Sequence, residues 1–464
     1  MRMLERLFEI AAAQLAAESE LPQRHPDAAE LREALGIPLS VEGTSFEEVS
    51  DRLTAILAET PSSASPRFFN QLFGGRDDVA SLAEMLTPLV NTSMYTYKVA
   101  GPQVLVEQEV LDRMALKIGY ADGEGTLCPG GSLALLTAML IARNEAFEGV
   151  RENGLGGTDQ PSATLYTSTD GHYSVRKSAG ILGLGREAVR EIPTDGSGRM
   201  DVEALHDAVR SDRNAGYLPL LVNATAGTTV LGAFDPIREI AEVAREERLW
   251  LHVDGALGGS VLLSEEHRAL LDGAQRADSF VWNAHKMMGV PLPCSALLLA
   301  RRGLLERHLG ESADYLFQAD GKELNPGTRS IQCGRRNDAL KLWAAWKLHG
   351  DRGYGRRINR LFELARYAAA TIEVDPELEL LMQPESINVC FEVPGRSSVD
   401  LCDRLRHEGR LLIGHAPAQG RHAIRLVCVN PDLEERDIDN ALGEIRHVAK
   451  VLAPVGVVAF SVAP

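Results

Sequence analysis

An α/β protein with a mostly parallel central sheet, a helical segment ahead of it and a small α+β domain behind it is what this sequence predicts. Three observations point there. From about residue 100 to 300, short β-rich runs (164–167, 218–223, 249–254, 279–283 and 294–299) alternate with helix-length amphipathic stretches, the pattern of βαβ units covered on both faces. Before them, residues 1–60 carry helical apolar spacing broken around Pro22, Gly36 and Pro38, and a Ser/Pro loop follows at 61–66. After Pro376 the chain turns to short strands (386–393, 423–429) and two amphipathic helices (398–408, 434–451), preceded by apolar helices at 339–346 and 361–372. At roughly 100–200 residues per domain, the 464 residues divide as a helical N-terminal segment 1–95, a large domain 96–350 and a small domain 351–464.

Composition narrows the function. Apolar residues make up 45% and charged residues 24%, a globular balance. The net charge of −17 repels phosphate backbones and anionic lipid, so neither nucleic acid nor a membrane surface is expected as a partner. An acidic small substrate would need locally placed arginines. No apolar run approaches the 18 or so residues of a membrane span. The acids within the first twenty residues argue against a secretory leader. Six cysteines, scattered singly without a CxxC pair, read as reduced core thiols of a cytoplasmic protein, with no metal site expected.

Four features stand at predicted strand ends. CPGGS (128–132) leads directly into a helical run, where glycines and a hydroxyl expose backbone N–H groups suited to a phosphate. Asp254 closes the apolar run LHVD (251–254). DSFVWNAHK (278–286) is a strand that runs into Lys286, and a lysine at a buried strand end is costly unless paired or used. His172 lies in TDGHY (169–173), just past another strand. Each has a plain structural reading: a Ser-capped turn, a turn Asp, a solvated Lys, a surface or core His. Together they supply what pyridoxal phosphate chemistry requires, namely an amine for covalent attachment, a carboxylate to keep the pyridine nitrogen protonated, a phosphate cradle and a flat ring to stack.

The motifs around these positions resemble the group II pyridoxal phosphate decarboxylases of the aspartate-aminotransferase fold (fold type I), in the glutamate, cysteine sulfinate and aspartate decarboxylase branch. The likeness is dense in FFNQLFGG (68–75), NTSMYTY (91–97), NATAGTTVLGAFDPI (223–237), LWLHVDGALGGSVLLS (249–264), NAHKMMGVPLPCSALLL (283–299), YLFQ (315–318) and QCGRRNDALKLW (332–343). It implies that Lys286 bonds the cofactor, Asp254 meets its pyridine nitrogen, and His172 and Ala256 flank its ring. It further implies that Gly131, Ser132, Asn283 and His285 hold the phosphate, with Thr225 near the phenolic oxygen. Arg425 matches the arginine that takes the substrate α-carboxylate and so selects decarboxylation. Phe73, Ser93 and Tyr95, with Asn70 and Gln71, match the branch that accepts shorter acids, implying aspartate or cysteine sulfinate as substrate and a β-amino acid or hypotaurine as product. These five also read as core residues of the N-terminal helices. The resemblance implies a homodimer with its site at the subunit boundary.

Departures from the pattern open alternatives. The segment 318–331, matching the family's catalytic loop, is shorter and lacks its tyrosine, with Leu324 or a neighbour in that place. Cα would then be protonated by His172, water or another loop, or the outcome would be decarboxylation-dependent transamination. Leu257 replaces a tryptophan, and Lys98 a glutamate. A wider mouth with a basic rim of Lys98, Arg301, Arg302, Arg335 and Arg336 would suit an aspartyl or methylaspartyl unit tethered to an acidic carrier protein. A cofactor-binding scaffold without activity is the non-enzymatic alternative.

Overall fold

The computed structural model describes residues 2–19, 28–157, 161–311 and 324–453. They form two compact units, one drawn from Arg76–Glu363 with Pro384–Ser386, the other from Met1–Gly75, Leu364–Gln383 and Ile387–Pro464.

The larger unit is built on seven strands: β1 (Glu124–Cys128), β2 (Ala163–Ser168), β3 (Val189–Ile192), β4 (Leu218–Thr225), β5 (Trp250–Gly255), β6 (Ser279–Asn283) and β7 (Ser295–Leu299). Their order is β1-β7-β6-β5-β4-β2-β3. β7 runs against both β1 and β6, and the other pairings are parallel, so the expected α/β architecture is present. The strands read as near-continuous apolar runs because helices cover both faces. Leu165, Leu221, Val281 and Leu297 are buried among Ala134, Leu135 and Ala138 of the helix Gly131–Ala146. β1 and β3 escape a reading of apolar runs because EGTLC and VREI carry a charge every few residues.

In the second unit, β8 (Glu379–Leu380), β9 (Asn388–Glu392), β10 (Gly414–Ala418) and β11 (Arg421–Val427) form an antiparallel sheet ordered β10-β11-β9-β8. Leu364, Ala368 and Ile372, at helical spacing, join Phe391, Leu426, Leu442 and Ile445 in its core. The segment 67–70 is stitched to this sheet: Leu412 N–H donates to Arg67 O (3.0 Å), Phe69 N–H to Leu412 O (2.8 Å) and Val427 N–H to Phe69 O (3.1 Å). Among the described residues no helix is long and apolar enough to cross a membrane.

Leu442 is fully buried on the helix Glu435–Val451. Leu442→Ala is therefore expected to destabilise this unit by about 2–5 kcal/mol, read from the urea unfolding midpoint.

Candidate functional site

The parallel strands bring their carboxyl ends to one edge of the large sheet, where ligands of such sheets bind. Thr225 of β4 pairs with Asp254 of β5, Gly255 with Trp282 of β6, and Asn283 with Ser295 of β7, which in turn faces Cys128 of β1. That register places Thr225, Asp254, Asn283 and the CPGGS turn along one rim. Lys286 follows Asn283 in a tight turn, its N–H donating to Asn283 O (3.1 Å), and is half-buried. His172 follows β2 and is half-buried beside Tyr173, with ring centroids 4.2 Å apart.

Electrostatics show these groups meeting. Burial pushes the His172 imidazole below its usual pKa; the Asp254 carboxylate opposes that shift and the Lys286 ammonium adds to it. Ser174 directs both its hydroxyl (2.7 Å) and its N–H (3.4 Å) at His172 Nδ1, so the ring's proton sits on Nε2. Asp254 is buried and accepts from Ala256 N–H at Oδ1 (3.1 Å). Gly255 is dictated by packing, since a Cβ there would lie 2.3 Å from the Phe280 ring.

The phosphate end fits the group the sequence assigns to it. Gly130 starts the helix Gly131–Ala146 at φ 113° with no side-chain cap, leaving first-turn N–H groups open to an anion. A Cβ on Gly131 would lie 2.7 Å from Asn283 Nδ2, so this glycine is what lets Asn283 approach the turn. Asn283 Oδ1 is itself buried without a partner among the described residues. His285 Nδ1 is held by the Cys294 backbone, lying 3.1 Å from its N–H and 3.0 Å from its carbonyl oxygen. Burial pushes this histidine down to about 4, so at neutral pH it is uncharged. Ser132 is exposed at the cradle, Ala256 half-buried and Thr225 buried.

The residues read as a substrate group fall in both units. In the smaller one, Arg425 Nη2 donates to Asn70 O (2.7 Å), so the stitched segment carries Asn70, Gln71 and Phe73 to the arginine's strand. Burial lowers the Arg425 pKa. In the larger one, Ser93 Oγ accepts from Arg335 N–H (3.1 Å), and Tyr95 O accepts from Gly327 N–H (2.9 Å). Ser93 therefore spends an acceptor on the backbone and retains its single proton for another group.

Three expectations need correction. The four arginines of the expected basic rim are paired: Arg335 is buried in a bidentate pair with Glu107, Arg336 pairs with Glu84, Arg301 with Glu145, and Arg302 with Asp122, while Lys98 is exposed. Pairs of this kind cancel the positive charge that the arginines would bring to such a rim. Leu257 is fully buried, with its Cβ 3.2 Å from where Gly227 would carry one, so it widens no mouth. Five cysteines are buried and outside any disulfide, but Cys333 is exposed between the exposed Ile331 and Gly334. Of the loop 318–331, residues up to 323 lie outside the described residues; Leu324 is half-buried and Pro326–Arg329 forms a 3₁₀ turn. Among the described residues no cluster could hold a metal.

Reasoning on the sequence passed over Asp235, His252, Asn223 and Ser279. Asp235 clamps the end of β4, accepting from Thr225 N–H and Met200 N–H, each at 2.7 Å, and burial pushes its pKa up to about 7. The FDPI motif held that signal.

The geometry places an uncapped helix N-terminus, a carboxylate and a lysine on one edge of an α/β sheet. A family model described as the pyridoxal-dependent decarboxylase conserved domain matches residues 31–394, and the chain belongs to that family. Cysteine sulfinic acid decarboxylase of Mus musculus is 42% identical over 459 residues, covering 94% of this chain and 92% of that protein. Acidic amino acid decarboxylase GADL1 of Bos taurus is 39% identical over 443 residues, 91% of this chain and 85% of that protein. The crystal structure of mouse CSAD matches with a TM-score of 0.93 at 39% identity, covering 97% of this chain and 98% of that one. The protein is thus a fold type I, pyridoxal phosphate-dependent amino acid decarboxylase.

His285 binds a proton near pH 4 in the folded chain and near 6.5 when unfolded, so between those values the unfolded state holds more protons and stability rises with pH. Lowering the pH from 8 to 5 is expected to cost the parent about 2 kcal/mol more than His285→Asn, measured by urea unfolding at both pH values. An equal pH response in parent and variant would contradict it.

Proposed function

We propose that this chain decarboxylates a short acidic amino acid at Cα, with aspartate or cysteine sulfinate as substrate and a β-amino acid or hypotaurine as product. The observation that carries this is the convergence of Asp254, Lys286 and His172 beside the uncapped helix at Gly131, in a chain whose relatives are named for cysteine sulfinic acid and acidic amino acids. When bound, the cofactor supplies an electron sink for the electrons left at Cα. Lys286 anchors it through its amine, Asp254 holds a proton at the pyridine nitrogen, and the first turn of Gly131–Ala146 with Asn283 and His285 takes the phosphate. Ala256 and His172 flank the ring, and Thr225 serves its phenolic edge. Arg425 is assigned the substrate α-carboxylate, and Asn70, Gln71, Phe73, Ser93 and Tyr95 the length of its side chain. His172 Nε2–H is the proton donor for Cα, a role supported by the two Ser174 contacts that leave the proton on that nitrogen.

A homodimer in the cytoplasm completes this reading. Leu82, Met85, Leu86, Leu89 and Val90 form an exposed apolar stripe on the helix Asp78–Val90, of the sort a second copy would cover. The scattered free thiols suit a reducing compartment.

The test is a product assay of the cofactor-loaded enzyme on aspartate, cysteine sulfinate, glutamate and a carrier-loaded aspartate. Release of CO₂ with the amine product from one of the two shorter free acids, faster than from the other two compounds, is expected. No CO₂ from any of them would refute the reading, and an aldehyde with the cofactor left in its amine form would replace it by the transaminase. At an effective dielectric of about 20 an ion pair in contact is worth about 4 kcal/mol, so Asp254→Asn, which removes the carboxylate assigned to the ring nitrogen, should lower kcat by about 10³-fold.

A further inference from the structure

Two register positions below the Thr225–Asp254 row, on the same face of the sheet, lies a second, wholly buried polar row. Thr167 of β2 is in register with Asn223 of β4, Asn223 with His252 of β5, and His252 with Ser279 of β6. Side chains paired in register project from the same face of a sheet. Asn223, His252 and Ser279 are fully buried, and Thr167 nearly so.

The donors and acceptors of this row run one way. Trp250 Nε1–H donates to Ser279 Oγ (2.7 Å), and Ser279 Oγ contacts His252 Nδ1 (2.8 Å). Among the described residues Trp250 and His252 are the two partners of that hydroxyl. Trp250 can only donate, so His252 Nδ1 is the one acceptor among these partners for the serine proton; giving it there satisfies the hydroxyl and leaves the imidazole's own proton on Nε2. Burial pushes the ring down to about 4 against the opposing field of Asp254, which keeps it neutral. At the other end, Asn223 Nδ2 donates to Thr167 Oγ1 (3.2 Å) and Thr225 Oγ1 (3.5 Å). Between the two halves, His252 Nε2 and Asn223 Oδ1 are both buried and both without a partner among the described residues. One is a donor and the other an acceptor, on adjacent strands at paired positions.

We propose that His252 is a positioning residue of the cofactor site: its Nε2–H reaches Asn223 Oδ1 through one water, and so fixes Asn223 to donate to Thr225 Oγ1. A threonine hydroxyl that accepts from Asn223 has its own proton left to give, and the row thereby sets Thr225 as a donor toward the phenolic edge of the cofactor. No proton moves along the row, and no bond is made or broken. The inference rests on the placement of Thr225 at that edge in the functional reading above.

The experiment compares His252→Leu with His252→Gln in the cofactor-loaded enzyme, reading the absorption band of the bound cofactor, its dissociation constant, and kcat against KM. Glutamine keeps an acceptor for Ser279 and a donor for Asn223, whereas leucine keeps neither. His252→Leu is expected to shift the band, weaken cofactor binding about tenfold, and lower kcat with little change in KM, while His252→Gln stays within about twofold of the parent. A folded His252→Leu with the parental band and affinity would overturn the proposal. Should that variant fail to fold, nitrogen-15 NMR of histidine-labelled parent holoenzyme decides. A neutral His252 ring with an exchange-protected proton on Nε2 supports the row, and a proton on Nδ1 overturns it. Absence of CO₂ release from every acidic amino acid would refute the substrate reading while leaving both of these readouts as predicted.

Discussion

A carboxylate buried at the end of a strand must be compensated, and Asp254 is the group around which this site is organised. Leaving an ionised acid in a low-dielectric setting costs several kcal/mol unless charge or hydrogen bonds answer it. Here the Ala256 N–H reaches back to it, and it shares the field at His172 with the Lys286 ammonium. A protonated pyridine ring would supply the remaining positive charge, so the acid and the cofactor stabilise each other's charged forms. The uncharged states of His172 and His285 follow from the same economy of charge, because burial keeps both rings from competing as cations. The protein as a whole carries −17, yet this edge sets an uncapped helix N-terminus at one end and a buried carboxylate at the other.

The backbone does as much as the side chains. β7 is the strand that reverses direction, so its first residue, Ser295, arrives beside the last residues of β1 and β6 and closes the row from Cys128 to Asn283. Gly131 admits Asn283 to the phosphate turn, and Gly255 yields to the Phe280 ring directly after Asp254. Asp235 accepts from Thr225 N–H at the end of β4 and from Met200 N–H outside it, which ties the height of Thr225 against Asp254 to a second segment. Small shifts in any of these would move the polar groups off the rim.

Much of this could be read from the residues alone. Short β-rich runs announced β2, β4, β5, β6 and β7, and Asp254, Lys286 and His172 were visible as polar residues closing or following such runs. β1, β3 and β10 were not visible, because EGTLC, VREI and GHAPA lack the apolar density of a covered strand. The stitching of Arg67–Asn70 to β11 depends on pairings more than three hundred residues apart, which no local pattern encodes. The arginines misled for a related reason: sequence shows Arg335 and Arg336 as adjacent positive charges, while their acids, Glu107 and Glu84, arrive from distant helices. The row through His252 needed the strand order, since parity along β5 says that His252 and Asp254 share a face but not that Asn223 and Ser279 flank His252.

The account stands most directly on Lys286 being the residue that the sheet edge presents to pyridoxal phosphate. Borohydride reduction of the cofactor-loaded enzyme, followed by digestion and peptide mass spectrometry, tests it. The account predicts a phosphopyridoxyl group on the peptide containing Lys286 and on no other lysine; a label at another lysine, or none in an enzyme that retains the cofactor, would contradict it.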